Sequence, residues 1–404
     1  MSCAPKKPEH PSAPQTPPGR LHRWFRIVGW NMAIFLAGAI FIELVFGSWF
    51  TAPKLWSLSI SRDVDMRIAV NAIYKRATPI RYTRGPYGLR GNFGAPKHVN
   101  IVTIGGSTTD EGMVSNEETW SAVMQSCLNK VGVPAVVANA GVGGQSSYGH
   151  AMNFRLWLNH IPDFSPKFAV ILLGFNERYF EPDRPLENPH AHMGQESEPE
   201  RATTKKLIRW MKIQSAFYGL YRIIKGNWIA WQARINPAWE QKVYNRSAPT
   251  KTTAADRIDL AFKGESNNRL TLDGPEHISL RTAHDAKLAS KLTAYGDRLL
   301  DLAKAAREFK TTPVFVTQSA GKYRRSQDGQ IIGSVSSFLV MGAFNGVTRT
   351  FCQKTKAQCI DLADRLSFGD GDLYDDIHTT PQGSRRIGDE ICRQLIPKLN
   401  GNLR

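Results

Sequence analysis

The chain has 404 residues, of which 52 are Lys or Arg and 35 are Asp or Glu, giving a formal net charge of +17. The basic residues are spread along the chain and no nucleic-acid-binding module is visible, so the composition predicts no nucleic-acid partner. Anionic lipid or an acidic polysaccharide fits this charge better, unless the charge mainly keeps the protein soluble. No metal-ligand spacing is present, and we expect neither a metal nor a cofactor.

The amino-terminal part predicts a membrane anchor. Residues 1–26 are basic and rich in proline, and we expect them to form a disordered cytoplasmic tail. Residues 27–50 are apolar and long enough to cross the hydrocarbon core as a signal-anchor helix, with Glu43 reaching the interface. The preceding basic residues keep the amino terminus in the cytoplasm by the positive-inside rule. Cleavage as a signal peptide is the alternative, although no clear cleavage site follows. These basic residues are Lys6, Lys7, Arg20, Arg23 and Arg26.

A connecting segment over 51–98 is expected to lead into one large domain over 99–404. Residues 99–104 form a short apolar, β-branched run with the composition of a buried strand, and Gly105-Gly106 ends it. Ser107 therefore lies on a turn at the carboxyl end of a strand, where open α/β sheets usually bind ligands. An ordinary polar turn is the alternative interpretation.

Two more strands deliver polar groups to the same edge. Residues 136–145 predict a second buried strand that runs into a glycine-rich loop containing Gly144, where bare backbone N–H groups can approach a ligand. Residues 168–177 predict a third strand that ends at Asn176, a neutral hydrogen-bond donor. Such donors can stabilise the charge that develops on a carbonyl oxygen during nucleophilic attack.

An insertion around 181–280 is expected to interrupt the domain. Residues 181–201 are typical of an exposed loop, and 205–233 predict a basic amphipathic helix. This helix either covers the domain with its apolar face, as a lid over the active edge, or lies on an anionic membrane. We favour the cover from the pattern alone.

The remaining pattern predicts the fold. Strands that alternate with helices argue for an α/β fold with a doubly wound, flavodoxin-like parallel sheet and helices on both faces. The predicted elements are a helix over 282–309, a strand over 313–317, a helix over 340–356 and a strand over 360–362.

A second polar motif lies before the last helix. Asp375 and His378 are three residues apart, and Thr380 and Pro381 follow as a helix N-cap and first helical residue. A serine hydroxyl needs an imidazole to take its proton, and a carboxylate best fixes the tautomer of that imidazole. Ser107, His378 and Asp375 are therefore a candidate triad. A turn-capping Asp and a surface His are the alternative.

These motifs together resemble the SGNH, or GDSL-like, hydrolase family, in its membrane-anchored bacterial branch. The resemblance implies that Ser107 is the nucleophile, with Asp375 and His378 as the other catalytic residues. It also implies an oxyanion hole formed by the Ser107 and Gly144 backbone N–H groups and the Asn176 side chain. Gly106 replaces the usual Asp before the serine, and Glu177 replaces the common Asp after the asparagine.

The combined hypothesis is a single-pass, extracytoplasmic (periplasmic) serine esterase that acts on an acylated carbohydrate or lipid. An O-acyltransferase that modifies a cell-envelope polysaccharide, and a non-catalytic envelope scaffold, are the alternatives. Of the cysteines beyond the span, Cys352 and Cys359 are close enough to pair, although four cysteines allow three connectivities and free buried thiols are also possible.

Overall fold

The computed structural model describes a core α/β domain, an amino-terminal helix and parts of the intervening segments. The described residues are 20–47, 49, 58, 60–180, 187, 211–212, 214–221, 224, 228, 242–245, 269–270, 286–325 and 331–399. The strands are β1 (Val64–Ala69), β2 (Ile80–Arg84), β3 (Ile101–Gly105), β4 (Val137–Asn139), β5 (Phe168–Leu172), β6 (Lys242–Asn245), β7 (Arg269–Leu270), β8 (Thr312–Val316), β9 (Tyr323–Arg325), β10 (Ile331–Gly333) and β11 (Gln358–Ile360). The helices are α1 (Arg20–Phe46), α2 (Ser107–Asp110), α3 (Trp120–Lys130), α4 (Ser147–Leu156), α5 (Ala286–Glu308), α6 (Val335–Thr355), α7 (Leu362–Arg365) and α8 (Pro381–Leu399).

The central sheet has five parallel strands in the order β11-β8-β5-β3-β4. Numbered by their sequence within this sheet, the strands follow the order 2-1-3-4-5 of a flavodoxin-like fold, which confirms the predicted class. The central strand β3 forms because its β-branched residues are fully buried on both sides, as in Ile101, Val102 and Ile104.

Helices cover both faces of this sheet. On one face, α4, α5 and α6 pack against Val102, Ile104 and Phe315, while on the other face α3 and α8 pack against Ile101 and Val170. Alternate residues of each strand thus point into opposite cores. All five strands consequently end at one edge, which carries the predicted polar groups.

The amino-terminal helix α1 ends at Phe46, four residues before the predicted end of the span. Within the described residues, Arg23–Phe46 is the one helix long and apolar enough to cross a membrane, with a mean hydropathy of 1.9. Its apolar side chains are exposed in the isolated chain. A signal sequence has the same length and composition.

Much of the predicted insertion lies outside the described residues. Two short pieces of it pair with strands elsewhere: β6 lies parallel to β1, and β7 lies antiparallel to β10. The predicted connecting segment is also structured, since it supplies β1 and β2, and Tyr74 donates a hydrogen bond to the Met113 carbonyl at 2.6 Å. The predicted domain limits remain a prediction.

Two disulfides hold the helices of the core domain. Cys352 and Cys359 pair between α6 and β11, as their short spacing suggested. Cys127 and Cys392 pair across 265 residues of sequence and join α3 to α8, with a Cα–Cα distance of 6.2 Å. The structure thus selects one of the three possible connectivities.

Candidate active site

Ser107 lies at the carboxyl edge of the sheet, directly after β3. It is the first residue of the one-turn helix α2, where the sequence predicted only a turn. The turn is tight because a Cβ on Gly105 would overlap the Thr109 side chain, so that only glycine fits where the strand bends into the helix. Ser107 is partly exposed, and its hydroxyl points out of the sheet edge toward the last loop of the domain.

The structure brings Ser107, His378 and Asp375 into one chain of hydrogen bonds. The distance from Ser107 Oγ to His378 Nε2 is 2.7 Å, and that from His378 Nδ1 to Asp375 Oδ2 is 2.6 Å. The second carboxylate oxygen of Asp375 accepts from the backbone N–H groups of Ile377 and His378 at 2.9 and 2.7 Å. Burial tends to raise the pKa of Asp375, but these hydrogen bonds hold that pKa below its ordinary value. The carboxylate is therefore charged near neutral pH and fixes the imidazole tautomer.

The loop that carries His378 is held on both sides. The Tyr374 ring stacks on the imidazole with a centroid distance of 5.7 Å and an interplanar angle of 12°, and Tyr374 N–H donates to the His378 carbonyl. Gly321 N–H donates to the carbonyl of Asp376 at 2.7 Å. The loop ends where α8 begins at Pro381, as predicted. These contacts fix the backbone that aims the imidazole at Ser107.

The glycine-rich loop after β4 and the Asn176 side chain lie beside Ser107. Asn176 Nδ2 donates to the Gln145 carbonyl at 2.8 Å, which orients the amide. Gly144 has a φ of +82°, a conformation that favours glycine. A Cβ on Gly143 would lie 3.9 Å from the Cβ of Ser107, so the loop passes directly over the serine. The glycine-rich loop and the Asn176 side chain thus both lie beside the serine, and their role as oxyanion donors stays a prediction.

The two departures from the family pattern have structural explanations. A Cβ on Gly106 would lie well inside van der Waals contact of Asn176 Nδ2, so the asparagine occupies the space that a side chain at 106 would need. Glu177 is buried and accepts from the Ser147 N–H and hydroxyl at 2.6 and 2.9 Å, while Arg298 pairs with it at 2.8 Å. Glu177 therefore binds the amino-terminal end of α4.

Two buried arginines that the sequence interpretation missed bind the serine turn, which is the turn from β3 into α2 that carries Ser107. Arg84 donates to Asp110 Oδ1 at 2.7 Å and to the Gly141 carbonyl at 2.5 Å, so it links α2 to the glycine-rich loop. Burial alone would lower the pKa of Arg84, but the Asp110 carboxylate raises that pKa above its ordinary value. Arg90 donates to the backbone carbonyls of Asp110 and Glu111. No spacing could have revealed these residues, because most of their partners are backbone oxygens.

A buried carboxylate also connects the serine turn to the histidine loop. Glu111 follows α2, and its Oε1 accepts from the hydroxyls of Thr379 and Ser384 at 2.8 and 2.5 Å. Its Oε2 accepts from Trp120 N–H at 2.7 Å. Burial raises the pKa of Glu111 to about 7, against the lowering effect of these hydrogen bonds. Thr379 is adjacent to His378, so Glu111 ties the two catalytic segments together.

A protein-family model covers both polar motifs of this site. The GDSL-like Lipase/Acylhydrolase family matches residues 103–386, a range that includes both polar motifs. The chain belongs to this family. It is consequently a serine hydrolase that acts on esters, and the predicted GDSL-like family is confirmed, whereas the membrane-anchored branch stays a prediction. A search of curated proteins finds no match.

The chain is also similar to solved structures of distant sequence. TesA has 12% identity, with 74% of this chain and 98% of TesA covered and a TM-score of 0.37. The psychrotrophic esterase EstA from Pseudoalteromonas sp. has 13% identity, with 75% of this chain and 100% of EstA covered and a TM-score of 0.37. The acetyl xylan esterase AlAXEase has 11% identity, with 72% of this chain and 96% of that chain covered and a TM-score of 0.36.

Within the described part of the chain, no group of His, Cys, Asp and Glu side chains could hold a metal ion.

Proposed function

We propose that this family member is a membrane-anchored serine esterase in which Ser107 is the nucleophile. The observation that carries the proposal is the continuous chain of hydrogen bonds from Ser107 Oγ through both imidazole nitrogens of His378 to Asp375. In a GDSL-family protein, this is the arrangement that activates a hydroxyl at neutral pH.

The reaction proceeds in two steps. Ser107 Oγ attacks the ester carbonyl while His378 Nε2 removes the hydroxyl proton, and the imidazolium then donates that proton to the leaving alkoxide. The products of this step are an acyl-Ser107 ester and a free alcohol. A water molecule then attacks the acyl carbonyl, and His378 takes its proton and returns it to Ser107 as the carboxylic acid leaves. Asp375 stays charged throughout and orients the ring.

The oxyanion of each tetrahedral intermediate would be held by the backbone N–H groups of Ser107 and Gly144 and by the Asn176 amide. Support comes from the Gln145 carbonyl, which takes one amide hydrogen of Asn176 and so fixes the direction of the other. Donors that are positioned before the reaction need no reorganisation when the charge develops.

Hydrolysis is the proposed outcome rather than acyl transfer. Ser107, Asn176 and His378 are each partly exposed in the structure, which allows water to reach the acyl-enzyme. The substrate proposed is an acyl ester on a carbohydrate or a lipid. Turnover of a short acyl ester in the presence and absence of a polyol acceptor, with the products separated, distinguishes free acid from transferred acyl groups.

Anchoring by α1, with the catalytic domain outside the cytoplasm, is the second part of the proposal. The exposed apolar helix and the basic residues before it support the orientation. Two disulfides in the domain also favour an oxidising compartment. An export-dependent reporter fused after Arg404 should be active. A reporter that works only in the cytoplasm would contradict this topology.

The nucleophile assignment is tested by labelling with a fluorophosphonate probe. The wild-type protein and the control variant Ser61→Ala, which changes an exposed serine remote from His378 in sequence, should label equally. Ser107→Ala should not label and should lose esterase turnover with unchanged thermal unfolding. Labelling of Ser107→Ala would place the nucleophile elsewhere, and no labelling of the wild type would favour a non-catalytic scaffold.

A further inference from the structure

The insertion exposes a group of large apolar side chains on a short helical segment. The described residues 216–221, 224 and 228 are helical. Five apolar side chains of this segment are between 42% and 59% exposed, which is unusual for residues of this size in a water-soluble domain. They are Phe217, Leu220, Tyr221, Ile224 and Trp228. Most of the cover predicted over 205–233 lies outside the described residues, so its role over the active edge stays a prediction.

The spacing of these side chains makes one stripe. The last four side chains lie three, four, seven and eleven residues after the first. At 3.6 residues per turn, all five fall within an arc of about 100°. On the opposite side of the segment, Gly219 is buried. From 216 to 228 the sequence has fewer than the about 20 residues that a helix needs to cross a bilayer. A narrow apolar stripe on a short helix is typical of a helix that lies in a membrane surface.

The carboxylate of the anchor helix holds the start of this segment. Glu43, in the last turn of α1, accepts from the Ser215 hydroxyl at 2.6 Å and from the Ala216 and Phe217 N–H groups at 2.9 and 3.2 Å. Trp49 Nε1 donates to the same carboxylate at 3.0 Å. Glu43 thus receives four hydrogen bonds where an acid near hydrocarbon needs partners, and the N–H groups at the beginning of the segment are satisfied in return.

The charge around the segment matches an anionic surface. Between 201 and 239 the sequence contains no Asp or Glu. It contains eight basic residues, namely Arg201, Lys205, Lys206, Arg209, Lys212, Arg222, Lys225 and Arg234. Lys and Arg side chains near an anionic leaflet are attracted by its negative surface potential.

From these observations we propose that the described helical residues of this segment, 216–221, 224 and 228, lie in the surface of the bilayer that α1 crosses, as a second membrane contact of the protein. The proposal rests on the proposed anchoring by α1. Its occupant is lipid rather than a protein partner, because the start of the segment is bound by Glu43 in the last turn of the exposed apolar anchor. Membrane attachment at two points limits the rotation of the catalytic domain about the anchor.

The test uses the full-length protein in vesicles of phosphatidylcholine and phosphatidylglycerol. In a Cys3→Ser background, a polarity-sensitive thiol label is placed at Leu220→Cys or Ile224→Cys. The matched control is Leu300→Cys, because Leu300 on α5 has the same 52% exposure as Leu220. Lipids brominated on their acyl chains should quench the labels at 220 and 224 several-fold more than the label at 300, whereas aqueous iodide should show the reverse order. Retained esterase turnover confirms that each variant is folded.

A further label at Ile34→Cys, in the middle of α1, separates the two hypotheses. If brominated lipid quenches the label at 34 but not those at 220 and 224, the anchoring stands and the second contact is wrong. If no position is quenched, the anchoring itself fails. Protection of 220 and 224 from both quenchers would mean that a protein surface, such as a second copy of the chain, covers the stripe, and this too would overturn the proposal.

Discussion

Adding a single methyl group at Gly106 tests the proposed oxyanion hole indirectly, by displacing the Asn176 side chain. Gly106→Ala leaves every proposed catalytic atom in the protein, but its Cβ needs the space that Asn176 Nδ2 occupies. The asparagine side chain is the flexible partner in this contact, so it should rotate away while the backbone of the serine turn stays in place. We therefore expect a catalytic defect with little loss of stability.

The magnitude follows from the role proposed for the displaced amide. Loss of one oxyanion-hole donor lowers kcat by about 10² to 10³, or about 2.7–4 kcal/mol of transition-state stabilisation. Gly106→Ala should approach the lower end of this range, because a displaced amide can still contribute in part. KM should change little, since the amide is needed mainly when charge develops on the carbonyl oxygen.

The assay is a double-mutant cycle on a short acyl ester, with thermal unfolding measured in parallel. Once Asn176→Ala is present, adding Gly106→Ala should cost almost nothing more in kcat. The control is Gly112→Ala, where a Cβ in the same stretch after β3 meets only an ordinary 3.8 Å contact. Wild-type kcat in Gly106→Ala, or losses that multiply in the double variant, would refute the reasoning.

Three further predictions concern buried groups and the long disulfide. Folding raises the pKa of Glu111 from 4.5 to about 7, so the contribution of its protonated form to stability is complete below pH 4.5 and falls by about 3 kcal/mol as the pH rises to 7. Chemical denaturation at several pH values should show a smaller loss of stability over this range in Glu111→Gln than in the wild type. Arg298→Met should cost about 3–5 kcal/mol because it leaves the Glu177 carboxylate buried and unpaired, and adding Glu177→Gln should recover most of that loss. If the double variant is as unstable as the single one, the pair is not the cause. Replacing Cys127 and Cys392 together with Ala should cost about 2–5 kcal/mol, whereas an unchanged melting temperature would mean that the bridge constrains nothing.

The strands and the residues of the proposed triad could be predicted from local sequence patterns. The β-branched run that became β3 predicts a buried strand on local grounds, and its carboxyl end then fixes where Ser107 must lie. His378 and Asp375 were predictable because their short spacing and the following Thr-Pro mark a loop before a helix. Chemistry that depends on a few residues at element ends can thus be read from local sequence.

Residues that act through tertiary contacts could not be read in this way. Arg90 and Glu111 stabilise the serine turn through backbone oxygens and distant hydroxyls, and such partners leave no periodic pattern. The anchor helix ends at Phe46 rather than at residue 50, and the apolar pattern that predicted residue 50 does not mark this end. The apolar stripe of 216–228 shows a further limit, since the same periodicity describes a helix that packs on protein and one that lies on lipid.

The wide separation of the two reacting side chains in sequence affects when the enzyme becomes active. Ser107 and His378 are 271 residues apart, and the whole core sheet lies before the histidine in the sequence. A nascent or truncated chain that lacks His378 therefore carries an inert serine, because the base that would take its proton has not yet been made. Under the proposed topology, most of the catalytic domain is synthesised before turnover can begin.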